Sequence, residues 1–61
     1  IAQAPERPEG YLLSGQACLA MGEPALARED LRDAIARADA HPRFAAIGKI
    51  ARQTLIRAET A

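Results

Sequence analysis

The chain has 61 residues, one cysteine, one histidine and a formal net charge of zero. A chain this short forms one small domain at most, and its lone cysteine and histidine exclude an internal disulfide and a His/Cys metal cluster. The neutral balance argues against a dedicated nucleic-acid-binding protein. Alanine makes up about a quarter of the residues, and because alanine is the best helix former, the composition predicts an all-α fold.

Charge is distributed unevenly along the sequence. Residues 1–42 carry four arginines against seven acids, whereas residues 43–61 carry four basic residues against Glu59 alone. No apolar run approaches the roughly 20 residues of a transmembrane helix, so we expect no membrane contact by this segment. The first residue is Ile1 and not Met, which favours a piece of a longer protein. The sequence leaves two compartments open, the cytoplasm and the periplasm.

The first predicted helix covers residues 8–21, after an arm or tail over residues 1–7. Pro8 suits the first helical position, where its missing N–H group is not needed. Gly22 suits the left-handed residue that ends a helix. The helix is apolar on nearly all sides, and a helix of that kind is normally buried. We therefore expect it to have neighbours on more than one side.

The second and third predicted helices cover residues 24–40 and 42–58. His41-Pro42 separates them, because the residue before a proline disfavours helix. Asp33 and Arg37 are spaced for an ion pair within one helix, and residues 59–61 are expected to fray. Apolar residues recur at three- and four-residue spacing in both helices: Leu26, Ala27, Leu31, Ala34, Ile35 and Ala38 in the second, and Phe44, Ile47, Gly48, Ala51, Leu55 and Ala58 in the third.

An internal repeat relates the first helix to the third. Tyr11-x-x-Ser14-Gly15-x-x-Cys18 aligns with Phe44-x-x-Ile47-Gly48-x-x-Ala51 at an offset of 33 residues, so that aromatic, glycine and small residues coincide. A period of this length is typical of helical repeat arrays.

The pattern resembles the tetratricopeptide repeat, whose motif is W-x2-L-G-x2-Y followed by A-x3-F. Tyr11, Gly15 and Cys18 occupy the first part, and Ala27-x3-Leu31 the second, with Ala34 at the alanine that follows. Gly22 falls at the turn between the helices of the hairpin, and Pro5 where the family closes the preceding repeat. Three features depart from the motif: Ser14 is not a large apolar residue, Cys18 is smaller than tyrosine, and Asp39 is not proline.

This resemblance implies an antiparallel helical hairpin plus a third helix, about one and a half repeats, in a single unit over residues 1–61 that belongs to a longer array. The small residues Gly15 and Ala27 are expected to let the first two helices approach closely. The stretch from Pro8 to Leu13 is also similar to the repeat region of c-type cytochrome biogenesis proteins. Those are membrane-anchored bacterial proteins that hold apocytochrome or partner subunits.

The resemblance further implies a partner-binding surface. In tetratricopeptide proteins the first helix of each hairpin lines a concave groove that holds partner peptides. By alignment the partner-binding residues here are Leu12, Gln16, Leu19, Lys49, Arg52, Gln53 and Ile56, with Ala20 and Ala45 beside them. Such a groove has an apolar half and a basic half, which suits an acidic or carboxylate-terminated segment. The alternative is that the basic stripe is an ordinary solvated helix face.

No residue pattern indicates catalysis, a cofactor or a metal. Cys18 lies on an apolar helix side, as a small buried hydrophobe does. Asp39 and His41 lie at a helix end, and no carboxylate pair is placed for hydrolysis. The glycines Gly15 and Gly22 lack the Lys-Ser/Thr that follows the glycines of a phosphate loop.

The sequence therefore predicts a scaffold or protein-interaction module, not an enzyme, that binds a protein or peptide and associates with a second copy or with further repeats. The alternative is a small three-helix nucleic-acid-binding domain that places its basic third helix in the major groove. Among the uncharged polar side chains of that helix, Gln53 is nearly the only one suited to reading base edges, which argues against this alternative.

Overall fold

The computed structural model describes residues 7–60. It contains three α-helices, α1 (Pro8–Ala20), α2 (Pro24–Asp39) and α3 (Ala45–Thr60), with a 3₁₀ turn over Pro42–Phe44 before α3. Residues 7–60 contain no strand, so the predicted all-α fold is confirmed. The helices α1 and α2 each end one residue before the predicted position. The predicted arm lies almost entirely outside the described residues.

The end of α3 differs from the expectation of fraying after residue 58. The helix continues to Thr60, whose hydroxyl donates to the carbonyl oxygens of Ile56 and Arg57. Ala61 lies outside the described residues.

The turn between α1 and α2 is set by Gly22, as predicted. Its φ of 78° lies in the left-handed region, where glycine has no Cβ penalty. The Gly22 N–H donates to the carbonyl of Leu19 at 3.1 Å, and the Glu23 N–H donates to that of Cys18 at 2.8 Å. These two bonds form a Schellman motif, which satisfies the last carbonyls of α1. The chain then reverses direction and Pro24 begins α2.

The seam between α1 and α2 is closest at Gly15, again as predicted. A Cβ atom at this position would lie 2.7 Å from the Cγ atom of Leu31 and 3.4 Å from the carbonyl oxygen of Ala27. Leu31 and Ala27 are both completely buried. Only a residue without a side chain allows α1 to approach α2 this closely.

Polar groups flank that seam. The Ser14 hydroxyl donates to the Asp30 carboxylate at 2.6 Å, and the Cys18 thiol lies 3.8 Å from the same oxygen. The Arg37 guanidinium lies over the Tyr11 ring, 4.3 Å from its centre. The predicted Asp33–Arg37 ion pair is present at 3.7 Å. The shared Asp30 carboxylate gives Ser14 and Cys18 a physical reason to be small and polar, although the repeat motif has larger side chains there.

The seam between α2 and α3 uses the second glycine of the internal repeat. A Cβ atom at Gly48 would lie 3.1 Å from the Cβ atom of Ala38. At one end of the seam the Arg52 guanidinium donates to both Asp39 carboxylate oxygens, at 2.8 and 2.9 Å. The Asp39 side chain is exposed, but it is engaged by Arg52.

At the other end of this seam, two arginines of α2 reach the last turn of α3. The Arg28 guanidinium donates to the carbonyl oxygen of Ala58 at 3.3 Å. The Arg32 guanidinium lies 4.0 Å from the Glu59 carboxylate. Both seams join antiparallel neighbours, so α1 and α3 run in the same direction.

The helix α2 therefore lies between the other two. Asp30 and Arg37 contact α1 on one side of its buried row, and Arg28, Arg32 and Asp39 contact α3 on the other. Packing between α1 and α3 is much sparser, and the molecule measures 29 × 25 × 13 Å. Among residues 7–60 the buried hydrophobic residues are Leu12, Ala27, Leu31, Ala34, Ala38, Phe44, Ala51 and Ala58.

Exposure of the large apolar residues departs from two expectations. Leu13 and Met21 of α1 are 65% and 76% exposed, so the described residues cover that helix less completely than its composition predicts. Leu26, placed in the apolar stripe of α2, is 51% exposed. None of the three described helices has the length and hydropathy needed to cross a membrane.

Candidate binding groove

A groove runs between the C-terminal halves of α1 and α3. Its volume is about 240 Å³, and it is lined by Gln16, Leu19, Ala20, Thr54 and Arg57. None of these residues comes from α2, so two parallel helices form both walls. The volume is below the roughly 300–1,000 Å³ of pockets that enclose a drug-sized molecule. It therefore fits the side chains of another protein better than a small ligand.

The polar side chains that line the groove differ in whether they already have a hydrogen-bond or ion-pair partner. The Thr54 hydroxyl donates to the carbonyl oxygen of Ile50 at 2.9 Å, within its own helix. The Arg57 guanidinium is exposed and forms no ion pair among residues 7–60. Arg52, by contrast, is held by Asp39 at 2.8 Å. Arg57 is thus the one charged side chain in the lining, and its charge is not neutralised by the described residues.

Two exposed apolar side chains lie on the same helix faces as groove residues, towards the N-terminal halves of the two walls. Leu13 lies one helical turn before Gln16 on α1, and Ile50 lies one turn before Thr54 on α3, so each pair shares a helix face. Leu13 is 65% exposed and Ile50 is 43% exposed. The surface between α1 and α3 is accordingly apolar at one end and basic at the other.

The structure brings together only part of the set predicted as partner-binding. Gln16 and Leu19 line the groove. Leu12 is 8% exposed and belongs to the core, and Arg52 is engaged by Asp39. The remaining three, Lys49, Gln53 and Ile56, are exposed but do not line the groove.

The difference on α3 comes from the rotation of this helix about its axis. The repeat alignment places Lys49, Arg52, Gln53 and Ile56 of α3 in the groove. In the structure Gly48 lies against Ala38 of α2, and Ala51 is completely buried. Lys49 and Gln53 then point away from both neighbours, and the Thr54 and Arg57 side of the helix turns towards α1. Sequence reasoning missed those two residues because the spacing along a helix does not state which side meets which neighbour.

Two further clusters each contain a side chain of a type used in catalysis, a cysteine in one and a histidine in the other. Cys18 is half-buried beside the Ser14–Asp30 pair, but no histidine or lysine that could act as a base is part of this cluster. His41 packs edge-to-face against Phe44, with ring centres 5.8 Å apart. Among residues 7–60 no three His, Cys, Asp or Glu side chains are grouped to hold a metal ion.

Comparisons of this chain with protein-family models, with curated proteins and with solved structures find no match.

Proposed function

We propose that this chain is a protein-interaction module of a tetratricopeptide-like helical repeat protein, which binds a partner protein without catalysing a reaction. The observation that carries the proposal is the open surface between α1 and α3. It includes the groove and, on the same helix faces, Leu13 and Ile50, two large apolar side chains left exposed. Exposed apolar side chains beside a groove are a feature of sites that bind another macromolecule.

Features of the fold support the kinship with helical repeats. The hairpin turn at Gly22, the close approach at Gly15 and the parallel course of α1 and α3 are all features that the repeat pattern predicts. Helical arrays bury their apolar faces by stacking on neighbours. A chain with this surface uncovered is expected to associate with a second copy when no other partner is present.

The basic residues of the 3₁₀ turn and α3 do not favour nucleic-acid binding as a second function. Arg52 is paired with Asp39, and the Arg43 guanidinium lies over the Phe44 ring, 4.8 Å from its centre. Arg43, Lys49 and Arg57 form no ion pair among residues 7–60, and three cations give little of the phosphate neutralisation on which such binding depends.

Sedimentation velocity over a wide concentration range tests the proposal. The average mass should rise with concentration for the unmodified chain. The double substitution Leu13→Ser and Ile50→Ser should reduce this association, because it removes apolar surface beside the groove. Leu26→Ser is the matched control, since Leu26 is similarly exposed on α2. A monodisperse monomer at every concentration, with a sharp thermal transition, contradicts the proposal.

A further inference from the structure

The geometry points to an amphipathic helix of a partner protein as the occupant of the α1–α3 groove, with an acidic side chain placed against Arg57. This inference rests on the proposed function and names the chemical class of the partner.

A helix fits the walls better than an extended segment does. Both walls are helical, and the backbone N–H and C=O groups along a helix are bonded within it. An extended peptide would bury its own N–H and C=O groups against walls that offer no backbone partner, which is costly. The Thr54 hydroxyl is already engaged, so Gln16 and Arg57 are the remaining polar groups in the lining. A helix satisfies its own backbone and needs no such partners.

The apolar part of the surface sets the face that the partner helix presents. Leu13 and Ile50 stand exposed on opposite walls at one end, and Leu19 and Ala20 line the groove at the other. A helix laid between the walls covers them with apolar side chains at three- and four-residue spacing. Because α2 contributes nothing to this surface, the partner becomes a fourth helix on the side opposite α2.

The positive charge in the groove determines the sign of the charge expected on the partner helix. Arg57 is the only charged residue among those that line it, and no acidic side chain in residues 7–60 forms an ion pair with it. A carboxylate of the partner neutralises this charge, whereas a lysine or arginine at the same place is repelled. Arg57 also lies in the last turn of α3, where a cation complements the helix dipole. The test therefore has to separate binding from stability.

The probe is a labelled, end-capped helical peptide of about four turns, with leucines along one face and one glutamate at the end of that face. Its binding to the 61-residue chain is measured by fluorescence anisotropy at low salt, and the site is located from amide chemical shifts. We expect shifts at the lining residues and binding weakened about threefold to fivefold by Arg57→Gln, as for an exposed ion pair. Arg32→Gln makes the same charge change on α2 and should leave the affinity within about 1.5-fold.

Exchanging the charges of the peptide and of position 57 provides a second test of the ion pair. A second peptide with lysine in place of the glutamate should bind Arg57→Glu better than it binds the unmodified chain. The inference is overturned if Arg57→Gln lowers thermal stability without changing affinity, or if Lys49→Gln weakens binding instead. It is also overturned if a proline-broken peptide of the same composition binds equally well. If neither peptide binds but the chain still self-associates through Leu13 and Ile50, this inference fails and the proposed function stands; if self-association is also absent, both fail.

Discussion

At the residue scale, the two glycines of the internal repeat differ in the space around them. Alanine at Gly15 would place its Cβ atom 2.7 Å from the Cγ atom of the fully buried Leu31. Overpacking of this kind costs about 1–3 kcal/mol, and the better helix propensity of alanine returns only about 1 kcal/mol of that. At Gly48 the nearest atom, the Cβ atom of Ala38, would be 3.1 Å away, so the overpacking is milder than at Gly15. We expect urea unfolding followed by circular dichroism to show Gly15→Ala clearly destabilised and Gly48→Ala close to the unmodified chain. Equal stability of the two variants would show that the α1–α2 seam is not as close as described.

Gly22 presents a different residue-scale problem, because space is not limiting there. No heavy atom lies within 4 Å of a Cβ atom added at this position, while φ is 78°. A substitution therefore meets backbone strain alone, about 1–2 kcal/mol for an ordinary side chain in the left-handed region. Gly22→Ala should lower the free energy of unfolding by about this amount, and Gly22→Asn by less, because asparagine tolerates this conformation. A loss that is as large for asparagine as for alanine would contradict the account of the turn.

At the scale of the helix, the last turn of α3 depends on α2. Arg28 donates to the carbonyl oxygen of the fully buried Ala58, a carbonyl near the helix end that has no later residue in α3 to bond. Replacing Arg28 with methionine keeps much of the apolar stem but removes the donor. Amide exchange at residues 57–60 should then become faster. Arg32→Met should have a much smaller effect, because its contact with Glu59 is exposed and 4.0 Å long. Equal acceleration in both variants would show that general electrostatic attraction, not the Arg28 bond, holds this turn.

Some features of the helices follow from the sequence, and others do not. The helix starts at Pro8 and Pro24 were predicted because proline fixes φ, and the turn at Gly22 because glycine adopts the left-handed conformation without a Cβ penalty. The close contact of Gly15 with α2 was predicted because a glycine on an apolar helix face favours close packing.

The groove was predicted less well, because its α3 wall depends on tertiary packing. Thr54 and Arg57 face α1 in the orientation of α3 in which Gly48 packs on α2. Repeat spacing fixes neither that choice nor the Ser14–Asp30 hydrogen bond across the first seam. A sequence pattern gives the position of a residue along a helix, whereas the rotation of the helix is decided by the neighbour that it meets.

At the scale of the whole molecule, α2 is shared by both seams, and this decides how the chain unfolds. Its row of buried residues, which includes Leu31 and Ala38, is closed by α1 on one side and by α3 on the other. A chain ending at His41 keeps the α1–α2 hairpin but loses Phe44, Ala51 and Ala58 from the core. Chains of about 40 residues or fewer rarely bury enough surface to fold without a staple. We therefore expect this shortened chain to lose most of its helical circular dichroism signal and its cooperative thermal transition.

The outcome distinguishes two ways in which the molecule can be stabilised. In repeat proteins the stability is close to a sum over units and their interfaces, so the result depends on how stable the α1–α2 hairpin is by itself. If the chain ending at His41 melts cooperatively near the transition temperature of the 61-residue chain, the hairpin is a self-sufficient unit and α3 is an addition to it. If helicity returns only when α3 is supplied as a separate peptide, then α1, α2 and α3 form one cooperative unit. The α1–α3 groove would in that case be a surface of the complete unit, because its two walls are held together through α2.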